Sequence, residues 1–297
     1  MGRKTLLRQW FLRGRFRARI AKLLYDLTIV LEIAVQLAFD LLYPVRGTHY
    51  QTDVEHRLTA IVKTFERPRI LRRLLKSIMR RHPGLHIIIV DDSRDPKSIP
   101  GVQTIILPYD SGVSAGRHEA LRHVTTEYVL VLDDDFVFYR QTGLAAALAI
   151  MDNHPRIDVM GGEVIDLPFF GTADYSREGL FPTDAKATMP GGSSIGGLPV
   201  YDKVANFFIA RTDRIRLVGW DPQLKRMEHT DFFTRAKGIL TTVFNEKMKC
   251  LHAKTPFDMA YMQKREDLGG DWLILQQRYL RNDSRPLGEG YVPELEQ

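Results

Sequence analysis

Three consecutive aspartates, Asp133, Asp134 and Asp135, directly follow the apolar run 128–132. The run is rich in β-branched and aliphatic residues, which predicts a short buried strand. Carboxylates this close together repel one another unless a cation lies among them. Magnesium and manganese prefer oxygen ligands and commonly bridge them to the phosphates of a substrate. The pattern therefore predicts a metal site at the end of a strand, and a solvated acidic turn is the alternative.

The surrounding sequence predicts the elements that must position this cluster. Further strands are expected at 58–62, 85–90, 102–107, 160–165 and 204–210, with helical patterns at 68–78, 115–124 and 142–153. This alternation predicts an α/β fold with a mostly parallel central sheet and helices on both faces. Asp91 and Asp92 end the second strand, so they face the same sheet edge as Asp133–Asp135.

Charge is distributed unevenly along the chain. Residues 1–25 contain eight Lys or Arg and no acid, which leaves 34 basic and 36 acidic residues in the remainder. The near-neutral body argues against a basic nucleic-acid-binding face, so no nucleic acid partner is expected. A single cysteine, Cys250, excludes an internal disulfide and a multi-cysteine zinc site, and it suits a reducing compartment.

The N-terminal segment, residues 1–47, is predicted to contact a membrane. Its basic residues are mixed with Trp, Phe and Leu, which suits an anionic membrane surface reached through residues 1–43. A mostly apolar stretch follows, with polar residues spaced by four at Thr28, Glu32, Gln36 and Asp40. This spacing predicts an amphipathic helix that lies in the interface or packs on a partner helix. A signal-anchor helix and packing on the chain's own domain are the alternatives.

A long loop interrupts the second half of the chain. Residues 168–203 are rich in Gly, Pro, Ser and Asp, and regular structure is predicted on both sides. A loop of this length is usually either disordered or functional, and we favour a lid that helps to choose the acceptor.

Several segments together resemble one family of enzymes. They are residues 60–65, 90–93, 114–117, 125–130, 133–138, 206–213 and 218–222. In order and spacing they resemble nucleotide-sugar glycosyltransferases of family 2, which have the GT-A fold, and especially the ganglioside-type β-1,4-N-acetylgalactosaminyltransferases. The resemblance covers about residues 57–265. It implies a GT-A domain at 48–265, between the N-terminal arm (1–47) and a C-terminal extension (266–297).

The resemblance also implies roles for the matched positions. Thr64 and Arg67 would line the nucleotide pocket, Asp92 would contact the uracil or ribose, and Arg117 would lie near the sugar or diphosphate. Asp133 and Asp135 would form the DxD element, and Asp133 and Asp134 would bind the nucleotide-sugar. Asp135 would be the first ligand of Mn²⁺ or Mg²⁺, with Asp133 beside it. His252 resembles the histidine that supplies a further ligand in several such enzymes, and a structural histidine is the alternative.

The catalytic base is expected among Glu228, His229 and Asp231. Inverting transfer needs a group that takes the proton of the acceptor hydroxyl. His229 stands where most of family 2 has an aspartate, whereas Asp231 is the more ordinary base chemically. If this stretch is helical, Glu228 and Asp231 share a face and His229 points away, which favours the two acids acting together. Capping of the helix by Thr230 or Asp231 is the alternative.

These observations predict a metal-dependent, inverting glycosyltransferase that uses a UDP-sugar donor and a glycan or glycolipid acceptor. We expect it at the cytoplasmic face of the cell membrane as a peripheral protein, while homo-oligomerisation stays open. The resemblance implies N-acetylgalactosamine as the donor sugar. A catalytically silent nucleotide-sugar-binding module recruited to membranes is the rival hypothesis.

Overall fold

The apolar runs of the sequence form the strands of a central sheet. A computed structural model describes residues 15–42, 49–177, 179–190, 192–265 and 268–279. The strands are β1 (Leu58–Thr64), β2 (His86–Asp91), β3 (Gln103–Ile106), β4 (Tyr128–Asp133), β5 (Phe136–Val137), β6 (Val159–Asp166), β7 (Gly171–Thr172), β8 (Ser194–Ile195), β9 (Leu198–Pro199), β10 (Phe208–Arg211) and β11 (Thr242–His252).

Helices follow most of these strands. They are α1 (Arg15–Leu42), α2 (His49–Arg57), α3 (Pro68–Arg81), α4 (Val113–Arg122), α5 (Leu144–Asn153), α6 (Thr212–Ile215), α7 (Glu228–Ala236), α8 (Met259–Arg265) and α9 (Gly269–Tyr279). The predicted α/β class is therefore confirmed. Pro68 begins α3 because its missing N–H and fixed φ suit the first helical position.

The sheet is parallel on one side and mixed on the other. Its order is β3-β2-β1-β4-β10-β6-β11-β5, with β7 paired to β6. Strands β1 to β4 are mutually parallel, whereas β10 runs antiparallel between β4 and β6. Because β11 is parallel to β6, the carboxyl ends of β6 and β11 return to the edge where β4 ends.

Alternating side chains of the strands contribute to two apolar layers, one on each face of the sheet. On one face, Val62 and Leu132 pack in a cluster with Leu74 of α3. On the other face, Ile61 and Val131 share a cluster with Phe232 of α7. Helices therefore cover both faces, as the period-two burial of each strand requires.

The N-terminal helix α1 packs on the body through one narrow face. Ile29 is 2% exposed, and Tyr25 and Ile33 pack in the same cluster against residues such as Val137 and Leu167. The opposite face of α1 is apolar and exposed. The basic arm before residue 15 lies outside the described residues. Nowhere in the described ranges is there a helix with the length and hydropathy needed to cross a bilayer.

The loop at 168–203 is attached to the body at several points. Phe181 is 7% exposed and stacks on Tyr279 of α9, with ring centroids 4.8 Å apart. Further along, Val200 forms a bridge to Val243 of β11. The loop is therefore anchored at these points while most of its described residues are exposed, and its role as a lid stays a prediction. Through α9, part of the predicted C-terminal extension also packs on the body, while residues 280–297 lie outside the described residues.

Candidate active site

The ends of several strands converge on the acidic cluster. Asp133 ends β4, Thr64 ends β1, and His252 ends β11. Because β10 is antiparallel to β4, the start of β10 rather than its end lies at this edge, and it brings Asn206 there. The predicted meeting of DxD residues, Thr64 and His252 is thus a consequence of strand direction.

Arg67 neutralises the middle and last aspartates of the cluster. Its Nη1 donates to Asp135 Oδ2 at 3.0 Å, and its Nη2 donates to Asp134. Thr64 Oγ1 also donates to Asp134, at 2.7 Å. Burial raises the pKa of Asp134 to about 6, although Arg67 opposes the shift. Asp134 is therefore committed to internal partners, which differs from the direct role in nucleotide-sugar binding expected for it.

Arg117 connects the first aspartate to α7. This side chain is 2% exposed and donates from Nη2 to Asp133 at 2.5 Å and from Nη1 to Glu228 at 2.6 Å. It also reaches Asn206 Oδ1 at 3.2 Å. Burial raises the pKa of Glu228 to about 7, although Arg117 lowers it. Glu228, whose carboxyl group ionises near neutrality, is thus bridged to Asp133 by Arg117.

The predicted α7 is present, but its two acids have different partners. Asp231 is 0% exposed and accepts hydrogen bonds from Arg235 (2.8 Å), Arg278 (2.6 Å) and Tyr279 (2.8 Å). Asp231 is therefore held by donors from α9 and the end of α7 and shares none of these partners with Glu228. Joint action of the two acids stays a prediction.

His229 is oriented by its neighbours rather than by the acidic cluster. Its Nε2 lies 2.7 Å from Val204 O, and its ring meets Tyr175 and Phe233 edge to face. It is half-buried. Among the three residues considered as a base, Glu228 is the one joined to the DxD residues by a shared partner.

Asp92 also departs from the expected role. Its side chain is 0% exposed, pairs with Lys63 and accepts a hydrogen bond from Gly112 N at 2.8 Å. A contact with uracil or ribose does not fit this burial. Asp91 is 7% exposed and lies opposite Thr64 in the register of β1 and β2, so it is the more accessible of the two carboxylates. The sequence places both acids at the end of the same strand and does not show which of them is more accessible.

His252 lies between two carboxylates. Its Nε2 is 3.2 Å from Asp135 Oδ1, and its Nδ1 is 2.9 Å from Asp166 Oδ1. Burial opposes the charged imidazole, but Asp135 and Asp166 outweigh it and raise the pKa of His252 to about 9. Asp166 was not foreseen, since its role follows from the pairing of His252 with Asp166 in the β6–β11 ladder.

This arrangement fits a divalent cation in its donor chemistry. An imidazole that lies beside one carboxylate, with its second nitrogen bonded to another carboxylate, is a common metal-binding unit. His252 would lose a proton when it binds a cation, because only the neutral imidazole is a metal ligand. Across the part of the chain that the structure describes, no group of three His, Cys, Asp or Glu side chains is arranged to hold a metal ion. Two protein ligands are nevertheless enough for a cation that also binds substrate phosphates and water.

Two aromatic rings at the same edge escaped the sequence analysis. Phe65 follows β1 and Tyr109 follows β3, and their ring centroids lie 5.6 Å apart. Lys264 Nζ lies 4.6 Å from the centre of the Phe65 ring and 4.8 Å from that of Tyr109. Tyr109 is 45% exposed. An aromatic residue within three positions of the end of each of two strands was the available signal.

Comparison with known proteins identifies similar sequences. The profile of the family described as glycosyl transferase family 2 matches residues 59–184. Over 209 residues the chain is 36% identical to beta-1,4 N-acetylgalactosaminyltransferase 1 of Homo sapiens, covering 64% of this chain and 38% of that protein. It is 34% identical over 199 residues to beta-1,4 N-acetylgalactosaminyltransferase 2 of Mus musculus, covering 63% and 37%. The chain thus spans less than two fifths of these relatives.

Solved structures share the architecture. The crystal structure of S. aureus TarS 1–349 aligns with a TM-score of 0.51 at 19% identity, covering 66% of this chain and 60% of that chain. The structure of the same TarS segment in complex with UDP aligns with a TM-score of 0.52, also at 19% identity and with the same coverage. These similarities confirm the predicted GT-A fold.

Proposed function

We propose that the chain is a metal-dependent, inverting glycosyltransferase, because residues 59–184 match the profile of glycosyl transferase family 2 and the relatives are named as glycosyltransferases. It moves a sugar from a UDP-sugar to a glycan or lipid-linked acceptor. The sugar is N-acetylgalactosamine, an assignment supported by the names of the relatives at 34–36% identity. A membrane recruits the protein through its N-terminal segment.

One observation carries the proposal: the side chain of Arg117 bonds both Asp133 and Glu228. It brings an acid that can accept a proton to the cluster that can bind a nucleotide-sugar. Arg117 and Glu228 are buried, whereas the Asp133 side chain is 31% exposed. Burying a carboxylate and a guanidinium costs free energy that packing alone does not return, so the contact points to a role in the site.

The residues divide into a nucleotide end and an acceptor end. Phe65 and Tyr109 offer aromatic faces to the uracil, and Asp91 offers a carboxylate to its N–H. Asp135 and His252 would hold the cation. When bound, Mn²⁺ or Mg²⁺ would neutralise negative charge on the departing UDP. Arg117 lies between the two ends and would stabilise the donor's diphosphate or sugar.

The proton transfer is assigned to Glu228. The acceptor oxygen bonds to the anomeric carbon, the bond from that carbon to UDP breaks, and Glu228 takes the acceptor proton. A base works best when its pKa lies near the operating pH, and burial raises the pKa of Glu228 to about 7. Attack opposite to the departing UDP inverts the configuration.

The first experiment measures UDP release from a panel of UDP-sugars, with Mn²⁺ and with chelator. We expect release from one donor that stops with chelator and in Asp135→Ala. Release that persists in Asp135→Ala would contradict the proposal. Metal-dependent UDP binding by calorimetry, without turnover on any acceptor, would instead favour a silent binding module. Glu246→Gln, an exposed change on β11, serves as the matched control.

A further inference from the structure

A groove of about 350 Å³ runs between α1 and α3, and none of the aspartates of the acidic cluster lines it. One wall is basic and is formed by Arg69, Arg72, Arg73, Lys76 and Arg80. The other wall is apolar and is formed by Ile33, Leu37 and Val137. Cationic and apolar surfaces side by side match an amphiphile with a negatively charged head.

The basic wall forms no ion pair with the residues that the structure describes. Its residues recur at three and four along α3, so they are stacked on one helical face where like charges repel. In the described ranges none of the five forms an ion pair, and the ion pair of this helix belongs to Arg81, with Asp40. The Nε of Arg73 is buried without a hydrogen-bond partner. An external anion would remove both the repulsion and the unsatisfied donor.

The apolar wall continues onto an exposed stripe of α1. Val30 and Leu41 stand seven and four residues from Leu37, on the same side of the helix, and they are 60% and 81% exposed. Other exposed members of the stripe are Leu23, Leu24, Leu27 and Leu31. A contiguous apolar face of this size marks an interaction surface.

We propose that this face docks on an anionic phospholipid bilayer, with lipid phosphates in the basic groove and the stripe of α1 among the acyl chains. The inference rests on the membrane recruitment proposed above and deepens it, because it names the surface and the headgroup charge. Charge complementarity selects the occupant, because five cations that form no ion pair with described residues suit an anionic surface and oppose a neutral or basic one.

The docking face lies next to the candidate active site. Arg73 Nη2 donates to Ala253 O at 2.9 Å, and Ala253 N donates to Asp135 O at 3.0 Å. The groove is therefore separated from Asp135 by a single backbone residue. Docking on this face would present the site to acceptors held at the surface of the bilayer.

The test uses the full chain and vesicle co-sedimentation. The groove variant is Arg72→Gln, Lys76→Gln and Arg80→Gln, three exposed residues outside the active site. The control removes the same charge elsewhere, at Lys97, Arg122 and Lys247, all three of which are exposed. On phosphatidylcholine vesicles containing phosphatidylglycerol, we expect the groove variant to bind about ten- to a hundredfold more weakly than the wild type. The control should bind much as the wild type does.

Three results would overturn the inference. Equal losses in the groove variant and the control would mean general charge attraction. Displacement by inorganic phosphate beyond that by chloride at equal ionic strength would mean a free-anion site. Absence of wild-type binding to anionic vesicles would remove the membrane recruitment as well. UDP release with a soluble acceptor, measured on the same variants, tests the transferase proposal separately.

Discussion

At the scale of single residues, acids that look alike in the sequence differ in their hydrogen-bond partners. Asp133 and Glu228 share Arg117, Asp134 and Asp135 share Arg67, and Asp231 has its own set of donors. Side chains from distant segments supply these partners. The sequence therefore predicts which acids gather but not which of them remain open to a ligand.

Replacing Glu228 by Gln should lower kcat about 10²–10⁴-fold, the usual contribution of a general base. Because a base acts when deprotonated, and burial raises the pKa of Glu228 to about 7, wild-type kcat should fall as the pH drops below about 7. Steady-state rates across pH would measure both effects. If Glu228→Gln kept the fall in kcat below about pH 7, the base would be another residue, and His229→Gln would be the next variant to measure.

Replacing Asp231 by Asn should act on stability. It removes the charge of the buried acceptor that Arg235 and Arg278 share, and weakening such hydrogen bonds to a charged group typically costs about 1.5–3 kcal/mol in the free energy of unfolding. Denaturant unfolding would measure the loss. Asp95→Asn, which breaks the exposed pair with Lys97, is the control and should cost less than about 1 kcal/mol. Full stability with lost turnover would make Asp231 the base after all.

At the scale of elements, the reversed strand β10 decides which residues meet. Hydrophobic periodicity predicted β1 to β4 and the helices between them, because buried parallel strands read as apolar runs. Periodicity carries no information on strand direction, so the antiparallel pairing of β10 was not foreseen. Nor was the irregular register between Asn245 and Lys249, where β11 pairs with β6. Both features decide where Asn206 and His252 lie.

Close packing around β6 provides a test at this scale. A Cβ added at Gly162 would lie 2.5 Å from Met248 O and 2.5 Å from Phe207 Cε1. Gly162→Ala should therefore cost about 1–3 kcal/mol, the usual range for overpacking, as seen in the denaturant midpoint. Gly171→Ala, where the added Cβ has no atom within 4 Å, should leave the midpoint nearly unchanged. Equal midpoints for both variants would show that β6 and β10 can move apart.

At the scale of the whole molecule, α1 packs on the body with one face and leaves its opposite, apolar face exposed. The sequence predicted an amphipathic helix there, with packing on the chain's own domain as an alternative. The structure combines both features, since Ile29 is buried against the body while the opposite face is exposed. Amphipathicity alone could not show which apolar residues face inward, because apolar residues surround most of the helix.

The exposed face of α1 can be tested without disturbing the buried one. Leu27→Gln with Leu31→Gln changes two side chains that are 62% and 63% exposed. Partition onto anionic vesicles should fall more than tenfold, since burying each leucine contributes about 1.5–3 kcal/mol when complete. Thermal unfolding should be unchanged. Leu217→Gln, 60% exposed on another surface, is the control, and equal binding by both variants would contradict the role of α1.

The same face of α1 has a practical consequence for handling the protein. In buffer without lipid, its leucines can be buried only against another apolar surface. A second copy of the chain provides such a surface. The elution volume in gel filtration should then change with protein concentration and revert in mild detergent. An apparent dimer obtained in this way would result from the absence of a bilayer and would not represent the quaternary structure of the protein.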